Sequence, residues 1–143
     1  MPASVSIYNH TARLFASGTN ASGSTYKVKL LTTATFDATH TTLAATGGTE
    51  VSNANGYLTG GATLSAVTVS TVTTNDAVFD ANDVSWSASG GSITASFAIL
   101  YNSSASGSPP LAFVNFGGST SAANGTDFQI VWGAGGIFTF TVT

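Results

Sequence analysis

The sequence predicts a mainly β fold, an antiparallel β-sandwich of about seven strands with a short N-terminal helix. Three observations predict it. Short runs of period-two alternation recur along the chain, as where Val84 and Trp86 alternate with Asp83, Ser85 and Ser87. Glycine pairs at 47–48, 60–61, 90–91, 117–118 and 135–136 fall between such runs, where hairpin turns need them. Helical material is confined to the first third. With 143 residues, no internal repeat and no composition shift, the chain reads as a single domain, 1–143, with helical and loop segments concentrated in 4–60.

Residues 4–18 predict the helix. Ile7 and Tyr8, Thr11 and Ala12, then Leu14 and Phe15 recur near helical spacing, Ser6 stands as a cap and Gly18 as the stop. Thr25–Thr33 predicts a strand with Tyr26, Val28 and Leu30 inward and Lys27 and Lys29 on an exposed strip. Thr35–Thr49 is ambiguous: Asp37 is placed to cap a short helix through Leu43 and Ala45, yet four threonines weaken that helix. Glu50–Gly61 is a loop with Tyr57 and Leu58 tucked inward. Thr63–Thr73 is a strand with Val67 and Val69 inward and a bulge near Ser65-Ala66 to accommodate Leu64.

Asn75–Tyr101 predicts a hairpin at the centre of the fold, turning at Ser89-Gly90-Gly91-Ser92. Ile93, Ala95, Phe97, Ile99 and Tyr101 share one face of its second strand, and the other face is also apolar enough for a strand covered on both sides. A short ladder at Ala77–Phe79 precedes it. Leu111–Phe116 and Thr126–Trp132 are strands joined by the long loop GGSTSAANG, and Gly133–Gly136 turns into a last strand, Ile137–Val142. Trp86 and Trp132, each on an alternating strand, belong to the core rather than to a sugar-stacking surface.

Only 6% of residues are charged, against about 25% in a typical globular domain. Three basic and six acidic residues give a net charge of −3, which offers no footprint for nucleic acid or anionic lipid. Sparsely charged, threonine-rich strands suit contact with neighbours in an assembly more than free solution. No apolar run approaches a membrane span, and the N-terminal residues lack the basic and apolar regions of a signal peptide. The four Asn-x-Ser/Thr triplets, at Asn9, Asn20, Asn102 and Asn124, are expected by chance in such a composition.

Candidate chemistry is thin. There is no cysteine, hence no disulfide, thiolate metal site or cysteine nucleophile. Asp76, Asp80 and Asp83, interleaved with Asn75 and Asn82, offer oxygen ligands for a cation, but the EF-hand spacing is missing and Asx-turns explain them more simply. His10 and His40 lie thirty residues apart without a metal-binding context, and are read as a helix-face and a loop histidine. No nucleophile elbow and no Walker loop occur. No catalytic residue, cofactor or metal is therefore expected.

Several segments in succession carry a resemblance: SIYNHTARL (6–14), YKVKLL (26–31), DATH (37–40), EVSNANGYLTGG (50–61), FDANDVSW (79–86), ITASFAILY (93–101) and LAFVNFG (111–117). Together they resemble a family of small virion structural proteins of tailed bacteriophages, from about Ser6 to Phe140. The resemblance implies a virion component, a capsid decoration (cement) protein or a tail- or fibre-associated one, located in the virion and assembled in the host cytoplasm. It implies no catalytic residues. The expected partners are the major capsid protein or other virion proteins and further copies of the chain, a trimer being favoured because shells offer local three-fold positions. Candidate interface residues are Tyr8, Arg13 and Phe15 on the helix, and Gly117, Gly118 and Asn124 in the glycine-rich loop. An adhesion module binding host glycans through exposed Tyr8, Tyr57 or Tyr101 is the alternative.

Overall fold

The computed structural model describes residues 3–71 and 76–141. It is mainly antiparallel β with a short helix, as the alternation requires, but it holds eleven strands among the described residues rather than seven. The extra strands are short: the run predicted at Thr63–Thr73 is split in two, one strand stands in the predicted helix at Ser4–Ile7, and one, Thr49–Glu50, stands where a loop was expected to begin. Strands β1 (Ser4–Ile7), β2 (Tyr26–Thr33), β3 (Thr49–Glu50), β4 (Ala62–Thr63), β8 (Ile93–Asn102) and β9 (Pro110–Ala122) form one sheet in the order β1-β9-β8-β2-β3, with β4 also on β2. Strands β7 (Val84–Ser87) and β10 (Asp127–Ile130) form a second. Strands β5 (Thr68–Ser70), β6 (Asp76–Asp80) and β11 (Phe138–Thr141) form a third, in the order β11-β6-β5. The large sheet packs one face on the two small ones, and Val28, Leu100 and Val114 meet Phe79, Trp86, Phe128 and Phe138 there.

The predicted helix is mostly wrong. Ser4–Ile7 is strand β1, and α1 covers only Thr11–Ala16. The unsatisfied backbone of β9 offers residues 4–7 a ladder, with Val5 opposite Val114, and a six-residue helix offers little in return. His10 takes the N-cap place without a side-chain cap bond, and Gly18, at φ 79°, follows the C-cap Ser17 as expected. The second short helix is real: α2 spans Leu43–Thr46, capped by Thr42, whose Oγ1 accepts the Ala45 N–H at 3.3 Å. Asp37 does not cap it. Its carboxylate instead closes its own turn, accepting from the N–H and Oγ1 of Thr39 at 2.9 and 2.6 Å.

The central stretch is not a hairpin. β7 pairs with β10, whereas β8 pairs with β2 and β9, so Ser89–Ser92 carries the chain from one layer to the other. An arch and a hairpin look alike in sequence, since both need two alternating runs and a glycine turn. β8 is central and covered on both sides, as predicted, but its faces switch. Between Ala95↔Thr120 and Phe97↔Asn115, Ser96 alone lies opposite residues 116–119 of β9. Ile93, Ala95, Ala98 and Leu100 therefore face the main core, while Phe97, Ile99 and Tyr101 face a second cluster with Tyr8, Leu31 and Phe113.

That bulge also corrects the loop predicted after Phe116. β9 runs on through Gly117 (φ 78°) and Gly118 (φ 152°) to Ala122, because glycine tolerates the backbone that a four-residue bulge demands. Elsewhere the break expected near Ser65-Ala66 is present at Ala66 (φ 52°), which splits the run into β4 and β5 and leaves Leu64 and Val67 inward, but Val69 is 43% exposed rather than inward. Residues 72–75, the end of that run and Asn75, lie outside the described residues. Tyr57 is buried as expected but Leu58 is 68% exposed. Lys27 and Lys29 are half-buried rather than on an open strip, because β2 is an inner strand and they stand opposite Tyr101 and Ile99.

Candidate functional site

The structure does not gather the six predicted interface residues into one surface. Tyr8 is 2% exposed, its ring edge-on to Phe36 with centroids 5.0 Å apart. Burial, and then the charge of Asp37, push its phenol up to about 12. Phe15 is half-buried and packs edge-on against Phe79, Phe138 and Phe140. Tyr8 lies between β1 and α1 and packs in the second cluster with Leu31 and Phe113, whereas α1 lays Phe15 down on the third sheet. Gly117 and Gly118 are exposed at the bulge. Asn124 is exposed but engaged: its Oδ1 accepts the Gly90 N–H at 2.9 Å, and the Gly125 N–H donates to Ala88 O at 2.7 Å. Those bonds clasp the β9–β10 turn to the β7–β8 arch. Arg13 is exposed, and neither it nor Lys27 nor Lys29 forms an ion pair among the described residues.

The aromatics nominated for glycan binding are also interior. Tyr57 and Tyr101 are 1% and 5% exposed. They belong to a polar network that the sequence did not announce. The Tyr57 hydroxyl accepts the Leu30 N–H at 3.0 Å and donates to Glu50 Oε1 at 2.7 Å. The same Oε1 accepts the Gly60 N–H at 2.6 Å, and the Tyr101 hydroxyl donates to Gly60 O at 2.7 Å. Burial, followed by the bond to Glu50, raises the Tyr57 phenol well above its ordinary value. Burial and then Glu50 raise Tyr101 as well. The one available signal was an acid seven residues ahead of a tyrosine and ten ahead of a Gly-Gly pair. The network serves to bind the 50–61 loop to β2 and β8.

The remaining titratable groups are dispersed in the same way. Asp76, Asp80 and Asp83 form no group of three metal-ligating side chains, and no such group exists among the described residues. Asp83 Oδ1 accepts the Trp132 N–H at 2.9 Å, and Asn82 O accepts the Trp132 indole N–H at 3.1 Å. Trp86 and Trp132 lie in the core, 6% and 9% exposed. Asp127 accepts from Ser87 Oγ at 2.7 Å across the β7–β10 ladder. His10 is buried, with Nε2 2.7 Å from Pro110 O, rather than on an open helix face. His40 lies 3.8 Å from Asp37 at a shallow hollow of about 380 Å³ lined by Thr33, Thr35, Thr46 and Gly48. Of the four glycosylation triplets, Asn20 and Asn102 are buried and bonded to each other at 2.8 Å.

A different feature is open. Among the described residues β1 ends the large sheet, paired on one side only, and beside it run two adjoining cavities of about 300 and 260 Å³. They share Ala3, Ile130 and Val131, and Val5, Val114 and Trp132 line the second. No charged residue lines either one. Val5 is 40% and Val131 66% exposed. The geometry thus defines a mainly β protein in which Glu50, Asp37, Asp83 and Asp127 secure loops and ladders, and in which two of the exposed large apolar side chains, Val5 and Val131, lie together beside one sheet edge. Comparison with protein-family models, with curated proteins and with solved structures finds no match.

Proposed function

We propose that the chain is a non-enzymatic structural protein of a bacteriophage virion, a capsid decoration (cement) protein that stabilises the shell. The observation that carries this reading is how the acids are used. Glu50, Asp37, Asp83 and Asp127 each hold a loop or ladder, which leaves broad serine- and threonine-rich strand surfaces for contact with neighbours. The succession of segments that resembles phage virion proteins supports the same reading. Its partners are then the major capsid protein and further copies of the chain, and it resides in the virion after assembly in the host cytoplasm. A tail- or fibre-borne glycan-binding module is weaker, because Tyr8, Tyr57 and Tyr101 are buried.

Counting copies in purified particles tests the proposal. Decoration predicts on the order of hundreds per particle, since a closed shell repeats its contact sites by symmetry. A count near half a dozen would place the chain at a tail tip and overturn it. A wash at about 1 M salt, where the Debye length is about 3 Å, is expected to leave most copies bound, because few contacts are ionic.

A further inference from the structure

We propose that β1 is a self-association edge: two copies pair their β1 strands antiparallel about a two-fold axis centred on Val5, joining their large sheets into one. A strand edge exposes backbone N–H and C=O groups that template another strand, and monomeric proteins blunt such edges with lysine, proline or a bulge. Ser4–Ile7 carries none of these, and its pairing to β9 is regular through all four residues. Beside it lies the mouth of the core. Val5 stands opposite the buried Val114, so the apolar face of β9 continues to the edge and stops uncovered against Val131.

Charge selects the occupant. The edge and both cavities hold no charged side chain, and Lys27 and Lys29 stand on β2, three strands away in the sheet. A charged partner strand would lose solvation there without gaining a counter-charge. A second copy brings the same neutral edge and creates no like-charge contact. With Val5 facing its counterpart, Ser4 meets Ser6 of the second copy, and Ala3 meets Ile7. Residues 3, 5 and 7 of both copies then close the two cavity mouths together. Identical antiparallel strands are related by a dyad, so this contact is two-fold, whereas a three-fold ring needs two different patches. Four residues of ladder bury less than the roughly 1,200–2,000 Å² of a stable interface, so the dimer is concentration-dependent. The inference stands apart from the virion reading.

Sedimentation equilibrium of the full chain across concentrations on the order of 5–500 µM tests it. The expected result is a rise from one to two monomer masses. Val5→Lys, on the edge, and Val131→Lys, on the exposed lip outside β1, should each weaken association at least about tenfold. The second variant leaves the β1–β9 ladder untouched, so it decides the matter if the first does not fold. Register is read by Val5→Cys, because the chain has no other thiol. Facing Cβ atoms about 4.5–5.5 Å apart lie close to disulfide reach, so mild oxidation should trap covalent dimers. Val69→Cys, on the exposed edge strand β5, should be trapped far more slowly. A monomer at every concentration, a three-copy species, association that survives both lysine variants, or faster trapping through Val69→Cys would each overturn the proposal.

Discussion

At the residue scale, the chain's stability rests on a few polar atoms that satisfy buried backbone. Leu30 is fully buried, and its N–H has the Tyr57 hydroxyl as partner. Tyr57→Phe removes that acceptor and leaves the donor stranded, so chemical denaturation should show a loss of about 1–3 kcal/mol. Tyr101→Phe leaves only the Gly60 carbonyl, at the edge of the loop, and should cost about 0.5–1.5 kcal/mol. Equal costs would mean that the Leu30 donor finds another partner. Gly61 is held differently. It adopts φ 79°, and an added Cβ would overlap the Val28 carbonyl. Gly61→Ala should therefore lose roughly 2 kcal/mol or more, whereas Gly23→Ala, with nothing near its Cβ, should stay within about 0.5 kcal/mol.

At the element scale, the face that a strand residue presents sets what its side chain is worth, as Trp86 on β7 and Phe97 on β8 show. Trp86 is 6% exposed and packs on Tyr57 and Phe128, so Trp86→Ala should cost about 3–5 kcal/mol. On β8 the bulge turns Phe97 to the second cluster, where it is half-buried against Phe113. Its truncation should cost about half as much, measured by the same denaturation series. A Phe97 loss equal to that of Trp86 would show that the second cluster is closed over as tightly as the first. Phe79 is a sharper test of the third sheet. Its ring stacks on Phe138 at 5.0 Å and meets Phe15 and Tyr26 edge-on, so Phe79→Ala should cost about 3–5 kcal/mol.

At the scale of the whole molecule, all four tyrosines, Tyr8, Tyr26, Tyr57 and Tyr101, ionise above their ordinary range, with burial the leading cause for each. The sign follows from proton counting. Above pH 10 the unfolded chain releases phenolic protons that the native chain retains, so the native state binds more protons and loses stability as pH rises. The stabilisation is complete below about pH 10 and fades above it, through about 12 for Tyr8. An absorbance titration at alkaline pH should then show no separate tyrosinate step near pH 10, and tyrosinate should appear together with loss of the fold. A normal step while the fold persists would mean that these hydroxyls are hydrated.

What the sequence determined by itself was local. Alternation identified β2, β7, β8, β10 and β11, Gly18 ended the first helix, and the tryptophans were placed in the core, because each depends on neighbours a few residues away. The tertiary structure decided everything that depended on which backbone edge a strand met. It made Ser4–Ile7 a strand by offering the edge of β9, sent β7 and β8 to different sheets, and turned a predicted glycine loop into the bulge that flips Phe97. It also withdrew Tyr8, Tyr57 and Tyr101 from the surface and left Val5 and Val131 there. A period of two says that a strand has two faces. Which face is buried, and beside what, is set by pairing partners that lie up to about a hundred residues away, as Val5 and Val114 do.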